Sequence, residues 1–197
     1  GLRHWGQGVW ARLNGIFAAA CWETATRRLT LARDRFGVKP LLWKRDNDGR
    51  CVFASELSAL RASGCIEAAR IHPQALESYR LWGAISGPLS LIEGVESLPA
   101  GHAAVREQNG QWNVQAFTAQ PPISTFPENW TLESATTAVG GALEQAVARQ
   151  SIGDHPVGIY LSGGLDSSLL AAILQRHQSK TVHSVSLGFQ GPEGGTR

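Results

Sequence analysis

VGIYLSGGLDSSLL, residues Val157 to Leu170, is the stretch whose reading decides the fold. Val157 to Leu161 is a short apolar run with the length and β-branched content of a buried strand. The chain then turns through Ser162, Gly163 and Gly164, and Ser167 to Gln175 follows an apolar helical pattern. Strand, glycine turn and helix form an anion-binding geometry. Glycine lets the backbone pass close to a ligand, and a helix start leaves N–H groups free at the positive end of the helix dipole. Ser162, Ser167 and Ser168 add hydroxyls. The common phosphate loop GxxxxGK[ST] has a lysine, whereas this one has adjacent glycines and Asp166 in the turn. A carboxylate beside a polyphosphate requires a cation, and Mg²⁺ is the usual one.

Ser162 to Ser168 resembles the SGGxDSS pyrophosphate loop of the ATP pyrophosphatase superfamily, whose members cleave ATP between the α- and β-phosphates and form adenylates. Three upstream segments carry a second resemblance: LNGIFAAACWE at Leu13 to Glu23, RDRFGVKPLLW at Arg33 to Trp43 and FASELSAL at Phe53 to Leu60. Their order, followed by LPAGH at Leu98 to His102 and then the pyrophosphate loop, is similar to that of glutamine-hydrolysing asparagine synthetases. The resemblance implies an internal fragment: the end of a class II glutamine amidotransferase domain, then the start of an ATP pyrophosphatase domain. The expected fold class is α+β then α/β: a partial N-terminal-nucleophile fold with αββα layers, followed by a partial Rossmann-like domain. The expected bounds are 1–118 for the first, 119–130 for a proline-bearing linker and 131–197 for the second.

The likeness assigns nucleotide contacts to Leu161, Ser162, Gly163, Gly164, Leu165, Asp166, Ser167, Ser168 and Leu187, and Mg²⁺ to Asp166. Leu187 would lie beside adenine, after an apolar strand at Val182 to Leu187 that completes a parallel βαβ unit. The implied cofactors are ATP and Mg²⁺, and the implied substrates are aspartate, glutamine and ATP. The implied parent enzyme is an ATP-dependent carbon–nitrogen ligase with glutamine as amido donor. It would work through a β-aspartyl-adenylate and release AMP and pyrophosphate. A related amidotransferase-like ligase such as a β-lactam synthetase, or a non-catalytic truncated nucleotide-binding protein, are the alternatives. No catalytic residue is assigned, because the likeness begins only after the family's N-terminal cysteine nucleophile, which is absent from a sequence that starts at Gly1, and the piece alone is expected to be inactive.

Composition narrows the rest. Charged residues make up 17% and the net charge is +2, too balanced for a nucleic-acid partner. Three cysteines without metal-site spacing suggest a reducing compartment, and Cys21 is read as a packed core thiol. With no leader and no apolar run of membrane length, the expectation is a cytoplasmic protein; the family likeness admits a homodimer of the parent.

The remaining elements follow from periodicity. Leu2, Trp5, Val9 and Leu13 predict a helix over the first 13 residues. Ile16 to Trp22 and Leu29 to Ala32 should pair as a hairpin, as should Leu41 to Lys44 and Cys51 to Ala54 around an Asp-Gly turn. Ser55 is the expected cap of a helix through Leu60. Ile71 to Trp82 reads as a helix presenting Leu76, Tyr79 and Arg80, and Leu91 to Leu98 as a compact connection. His102 is read as a structural turn residue between Pro99 and two strands, His102 to Arg106 and Val114 to Phe117. Thr131 to Arg149 is predicted helical, with Leu132, Ala135, Val139, Leu143 and Val147 as its apolar stripe. Arg33, Asp34 and Arg35, taken alone, read as a solvated turn with ion pairs; the family likeness puts this segment near the contact between two active domains.

Overall fold

Along Arg28–Arg33 successive side chains enter two different apolar environments, and this alternation sets the layers of the first part of the chain. The computed structural model describes residues 1–46, 49–66, 70–118 and 129–188. The chain divides into two compact units, Gly1–Pro122 and Ile123–Arg197.

In the first unit one antiparallel sheet has the order β1 (Ala18–Glu23), β2 (Arg28–Arg33), β6 (His102–Arg106), β7 (Trp112–Ala116). A second has the order β4 (Cys51–Ala54), β3 (Leu42–Arg45), β5 (Val95–Ser97). Leu31 and Ala104 from the first sheet meet Leu41, Trp43 and Leu98 in one buried cluster, which fills the space between the sheets. The opposite face of the first sheet presents Ala32 and Ala103 to Val9 and Trp10 of the N-terminal segment. The opposite face of the second presents Val95, with Leu42, Val52 and Ala54, to Leu57 and Leu60 of α2 (Leu57–Ala62). The order is therefore helix, sheet, sheet, helix, the αββα layering expected for this half.

Several local expectations change. The N-terminal helix is α1 (Leu2–Trp5) followed by a 3₁₀ helix at Gly6–Arg12, because Gly6 sits at φ 53° and breaks the α-helical ladder. The connection before Leu98 contains β5, too short to show alternation in the sequence but paired with β3 from Leu42↔Ser97 to Lys44↔Val95. Glu56, not Ser55, is the N-cap of α2, and it makes no side-chain cap bond. Helix α3 (Pro73–Trp82) has Pro73 in its first turn as predicted, but it buries Ala75 and leaves Tyr79 exposed. Both predicted hairpins form, β1 with β2 and β3 with β4; Asn47 and Asp48 of the second turn lie outside the described residues. His102 begins β6, whose bounds are those expected, and its Nδ1 donates to the Ala100 carbonyl at 2.8 Å.

The second unit contains α4 (Leu132–Gln150), β8 (Ile159–Tyr160), α5 (Leu165–His177) and β9 (Ser184–Val185). β8 and β9 are parallel neighbours, Ile159↔Ser184 and Tyr160↔Val185, so the predicted βαβ unit is present. Both strands are shorter than their apolar runs. They pair only with each other among the described residues, and neither contains a buried residue. A capping box starts α4: Thr131 Oγ1 accepts from the Ser134 N–H at 3.1 Å, and Ser134 Oγ accepts from the Thr131 N–H at 2.9 Å. The expected apolar stripe of α4 includes Leu132, which is 86% exposed, and no residue of this helix is buried. Residues 119–128 of the expected linker lie outside the described residues.

Candidate functional site

The turn from β8 into α5 assembles the candidate site in the second unit. Parallel pairing brings the C-terminal ends of β8 and β9 to the same edge, the place where open α/β sheets take ligands. Gly163 adopts φ 79°, a left-handed conformation that glycine reaches without strain. Gly164 is the N-cap, so α5 begins two residues earlier than its apolar pattern indicates. Asp166 consequently lies in the first helical turn, not in the loop before it. The first intrahelical bond runs from the Ser168 N–H to the Gly164 carbonyl at 3.1 Å. The N–H groups of Leu165, Asp166 and Ser167 precede any possible intrahelical acceptor and are the donors an anion would meet.

The serine hydroxyls are less free than the sequence suggests. Ser162 Oγ and Ser167 Oγ are 3.0 Å apart, and the Ser162 N–H donates to Ser167 Oγ at 3.3 Å. Ser167 Oγ in turn donates to the Gly164 carbonyl at 3.2 Å. The two hydroxyls thus shape the loop, while Ser168 is exposed on the next position of the helix. Leu187 follows β9 and is 78% exposed, beyond the same sheet end as Leu161 to Ser168.

A carboxylate in a first helical turn interacts favourably with the helix dipole even without a ligand. Among the described residues Asp166 belongs to no group of three or more His, Cys, Asp or Glu side chains able to hold a metal ion. One carboxylate beside a row of free N–H groups nevertheless suits a magnesium–polyphosphate, in which phosphate oxygens and water complete the coordination.

A second built constellation, in the first unit, was not legible as such. Asp34 is 1% exposed, so the solvated turn expected at Arg33 to Arg35 is not what forms. Its carboxylate accepts from the Phe36 N–H at 3.1 Å, the Val38 N–H at 3.0 Å and the Lys39 N–H at 2.9 Å. Burial pushes the Asp34 carboxyl up, and these backbone donors outweigh it, holding the group below its ordinary value. Arg33 closes the same loop from outside: Nε donates to the Lys39 carbonyl at 2.9 Å and Nη2 to the Gly37 carbonyl at 2.6 Å. Nη1 reaches Ser97 Oγ at 2.9 Å and the Leu98 carbonyl at 2.8 Å, tying the loop to the second sheet. Gly37 sits at φ 64°, where a Cβ would come within 3.0 Å of Ala100 Cβ. The result is a rigid loop that presents Phe36, 82% exposed, and Val38, 56% exposed. The signal available in sequence was an aspartate ahead of a glycine turn, which reads equally well as a solvated turn.

Cys21 is half-buried on β1, opposite Thr30, rather than fully in the core. Burial pushes the Cys51 thiol up to about 11 despite the neighbouring Arg45 and Arg106, which disfavours its thiolate.

A glutamine amidotransferase domain family model matches residues 1–118, more than half of the chain. The chain belongs to that family. An asparagine synthase family model matches residues 138–196, which include the loop and α5. A relative from Mycobacterium tuberculosis, provisionally named a glutamine-hydrolysing asparagine synthetase, is 34% identical across 96% of this chain and 29% of its own length. Asparagine synthetase (glutamine-hydrolysing) 3 of Bacillus subtilis is 29% identical across 94% of this chain and 30% of its own. The chain therefore carries the two family matches in order, and it spans under a third of the length of these relatives. A solved B. subtilis glutamine phosphoribosylpyrophosphate amidotransferase, complexed with ADP and GMP, covers 98% of this chain and 36% of its own at 15% identity. Its TM-score of 0.37 carries no weight for the fold. Among the described residues no helix is long and apolar enough to cross a membrane.

Proposed function

We propose that the protein acts as a glutamine-dependent asparagine synthetase, with residues 1–118 as its amidotransferase part, 119–130 as linker and 131–197 as the start of its ATP pyrophosphatase part. In this reading ATP adenylates the aspartate side-chain carboxylate, pyrophosphate leaves, and ammonia from glutamine attacks the β-aspartyl-adenylate to give asparagine and AMP. The observation that carries it is the β8–loop–α5 junction, with its free first-turn N–H groups inside the segment matched by the asparagine synthase family.

Leu161, Ser162, Gly163, Gly164, Leu165, Asp166, Ser167, Ser168 and Leu187 are the proposed nucleotide contacts. The N–H groups of Leu165, Asp166 and Ser167 orient the phosphates, and the Ser162–Ser167 pair keeps the loop in shape to receive them. Leu187 offers an apolar surface beside the base. Asp166 is the proposed Mg²⁺ ligand; the bound ion would neutralise charge on the phosphates. Fixed donors aimed at a departing polyphosphate favour the transition state because they need no reorganisation as charge develops. The test is aspartate-dependent exchange of labelled pyrophosphate into ATP, measured on the protein with whatever flanking sequence it naturally carries. Asp166→Asn is expected to lower the exchange rate by about 10²-fold, the scale for losing one preorganised charge-stabilising group. Exchange at the wild-type rate across a Mg²⁺ titration would remove Asp166 from the site, and no exchange in the wild type would remove the ligase reading itself.

A further inference from the structure

Leu161 is the last residue before the loop, and both of its backbone polar groups are held by the chain around β9. Its N–H donates to the Val185 carbonyl at 2.9 Å. Its carbonyl accepts from Ser186 Oγ at 2.6 Å. In a planar trans peptide the C=O of one residue and the N–H of the next point in opposite directions, so fixing the Leu161 carbonyl also aims the Ser162 N–H. That N–H donates to Ser167 Oγ at 3.3 Å, and Ser167 Oγ donates to the Gly164 carbonyl at 3.2 Å. The Gly164 carbonyl is also the acceptor of the first bond of α5. A continuous polar chain therefore runs from Ser186, through the Leu161–Ser162 peptide and Ser167, to the start of the helix.

We propose that Ser186 is a positioning residue for the phosphate-binding loop. The inference deepens the nucleotide reading above and rests on it. Packing supplies little order at this place, since neither β8 nor β9 has a buried residue. A Cβ added at Gly163 would meet nothing within 4 Å, so sterics do not hold that loop position either. The Ser186 hydroxyl thus holds the carbonyl side of the Leu161–Ser162 peptide plane, at 2.6 Å, against the longer 3.3 Å bond from its N–H side to Ser167. Without it, a ligand must pay the ordering of the loop from its own binding energy.

The experiment uses Mg·ATP and Mg·pyrophosphate as probes in titration calorimetry, on the protein with its natural flanking sequence, alongside thermal unfolding. Ser186→Ala is expected to weaken both probes about three- to tenfold, the equivalent of one net hydrogen bond, with the unfolding midpoint unchanged. Ser186→Thr keeps a hydroxyl at the same atom and is expected to restore both affinities. Unchanged affinity in Ser186→Ala, with the wild type binding both probes, overturns the positioning role and leaves the nucleotide site standing. Weakened binding that tracks a lowered midpoint and is not rescued by Ser186→Thr also overturns it. A wild type that binds neither probe overturns the positioning role together with the nucleotide reading.

Discussion

The two built constellations, the Asp34 loop and the phosphate-binding loop, are held in opposite ways. Asp34 lies within an αββα stack, and the core residues Leu31, Leu98 and Leu60 in that stack are almost completely buried. The phosphate loop sits in a unit whose buried hydrophobic residues, among those described, are Ile173 and Leu174 on α5. Around Asp34 a buried carboxylate is enclosed by three N–H groups of its own loop, two on Oδ1 and one on Oδ2. Around Ser162 the hydroxyls are spent on the loop, while the first N–H groups of α5 remain unspent. A site for a ligand is recognisable by donors left over, not by donors brought together.

Truncating the deepest core should show the contrast most strongly. Leu31→Ala is expected to lower unfolding stability by about 2–5 kcal/mol, because the two sheets meet on that side chain and cannot collapse around the cavity. Urea midpoints read by tryptophan fluorescence check it; a loss under about 1 kcal/mol would show that the sheets are not packed on Leu31. Asp34→Ala comes next, at about 3 kcal/mol, since three N–H donors lose their acceptor inside the protein.

The same carboxylate gives a pH dependence with a definite sign. Its folded value lies below the ordinary 3.8, so its contribution is full above the unfolded value and disappears as pH falls through the folded one. Stability of the first unit should therefore hold steady from neutral pH to about pH 5 as far as Asp34 is concerned, then fall in more acid solution. In Asp34→Asn that acid-side component should be missing; an unchanged acid limb would contradict the cage. Smaller again, Thr131→Ala removes one half of the α4 capping box and should cost about 1 kcal/mol in helix stability. Leu132→Ala, at a side chain 86% exposed, should stay within about 0.5 kcal/mol in the same helix.

Legibility followed local chemistry. The hairpins were readable because β1–β2 and β3–β4 are joined by short polar turns between apolar runs, and the βαβ unit because glycines separate a strand pattern from a helix pattern. The αββα order came from family resemblance, and the structure supplies its physical basis in three separate clusters. β5 was not readable, since three residues carry no period and its pairing with β3 is a tertiary choice. The α4 stripe was over-read: a periodic pattern shows which face can bury, and Leu132 shows that burial need not follow. At the site, the residue range was legible but the roles were not. The position of Asp166 in the first turn depends on where Gly164 caps the helix, and the Ser162–Ser167 pairing depends on loop geometry. The Ser186 tie spans 25 residues of sequence, beyond any local pattern.

Hydrogen exchange on the protein with its natural flanking sequence, with and without Mg·ATP, compares the two constellations in one measurement. The amides of Gly163 to Ser168 should exchange more slowly when Mg·ATP is present, because leftover donors gain an acceptor, while those of Phe36, Val38 and Lys39 should stay as they were. Exchange at Gly163 to Ser168 that is indifferent to Mg·ATP, or nucleotide-dependent protection confined to the Asp34 loop, would place the nucleotide somewhere other than the β8–α5 junction.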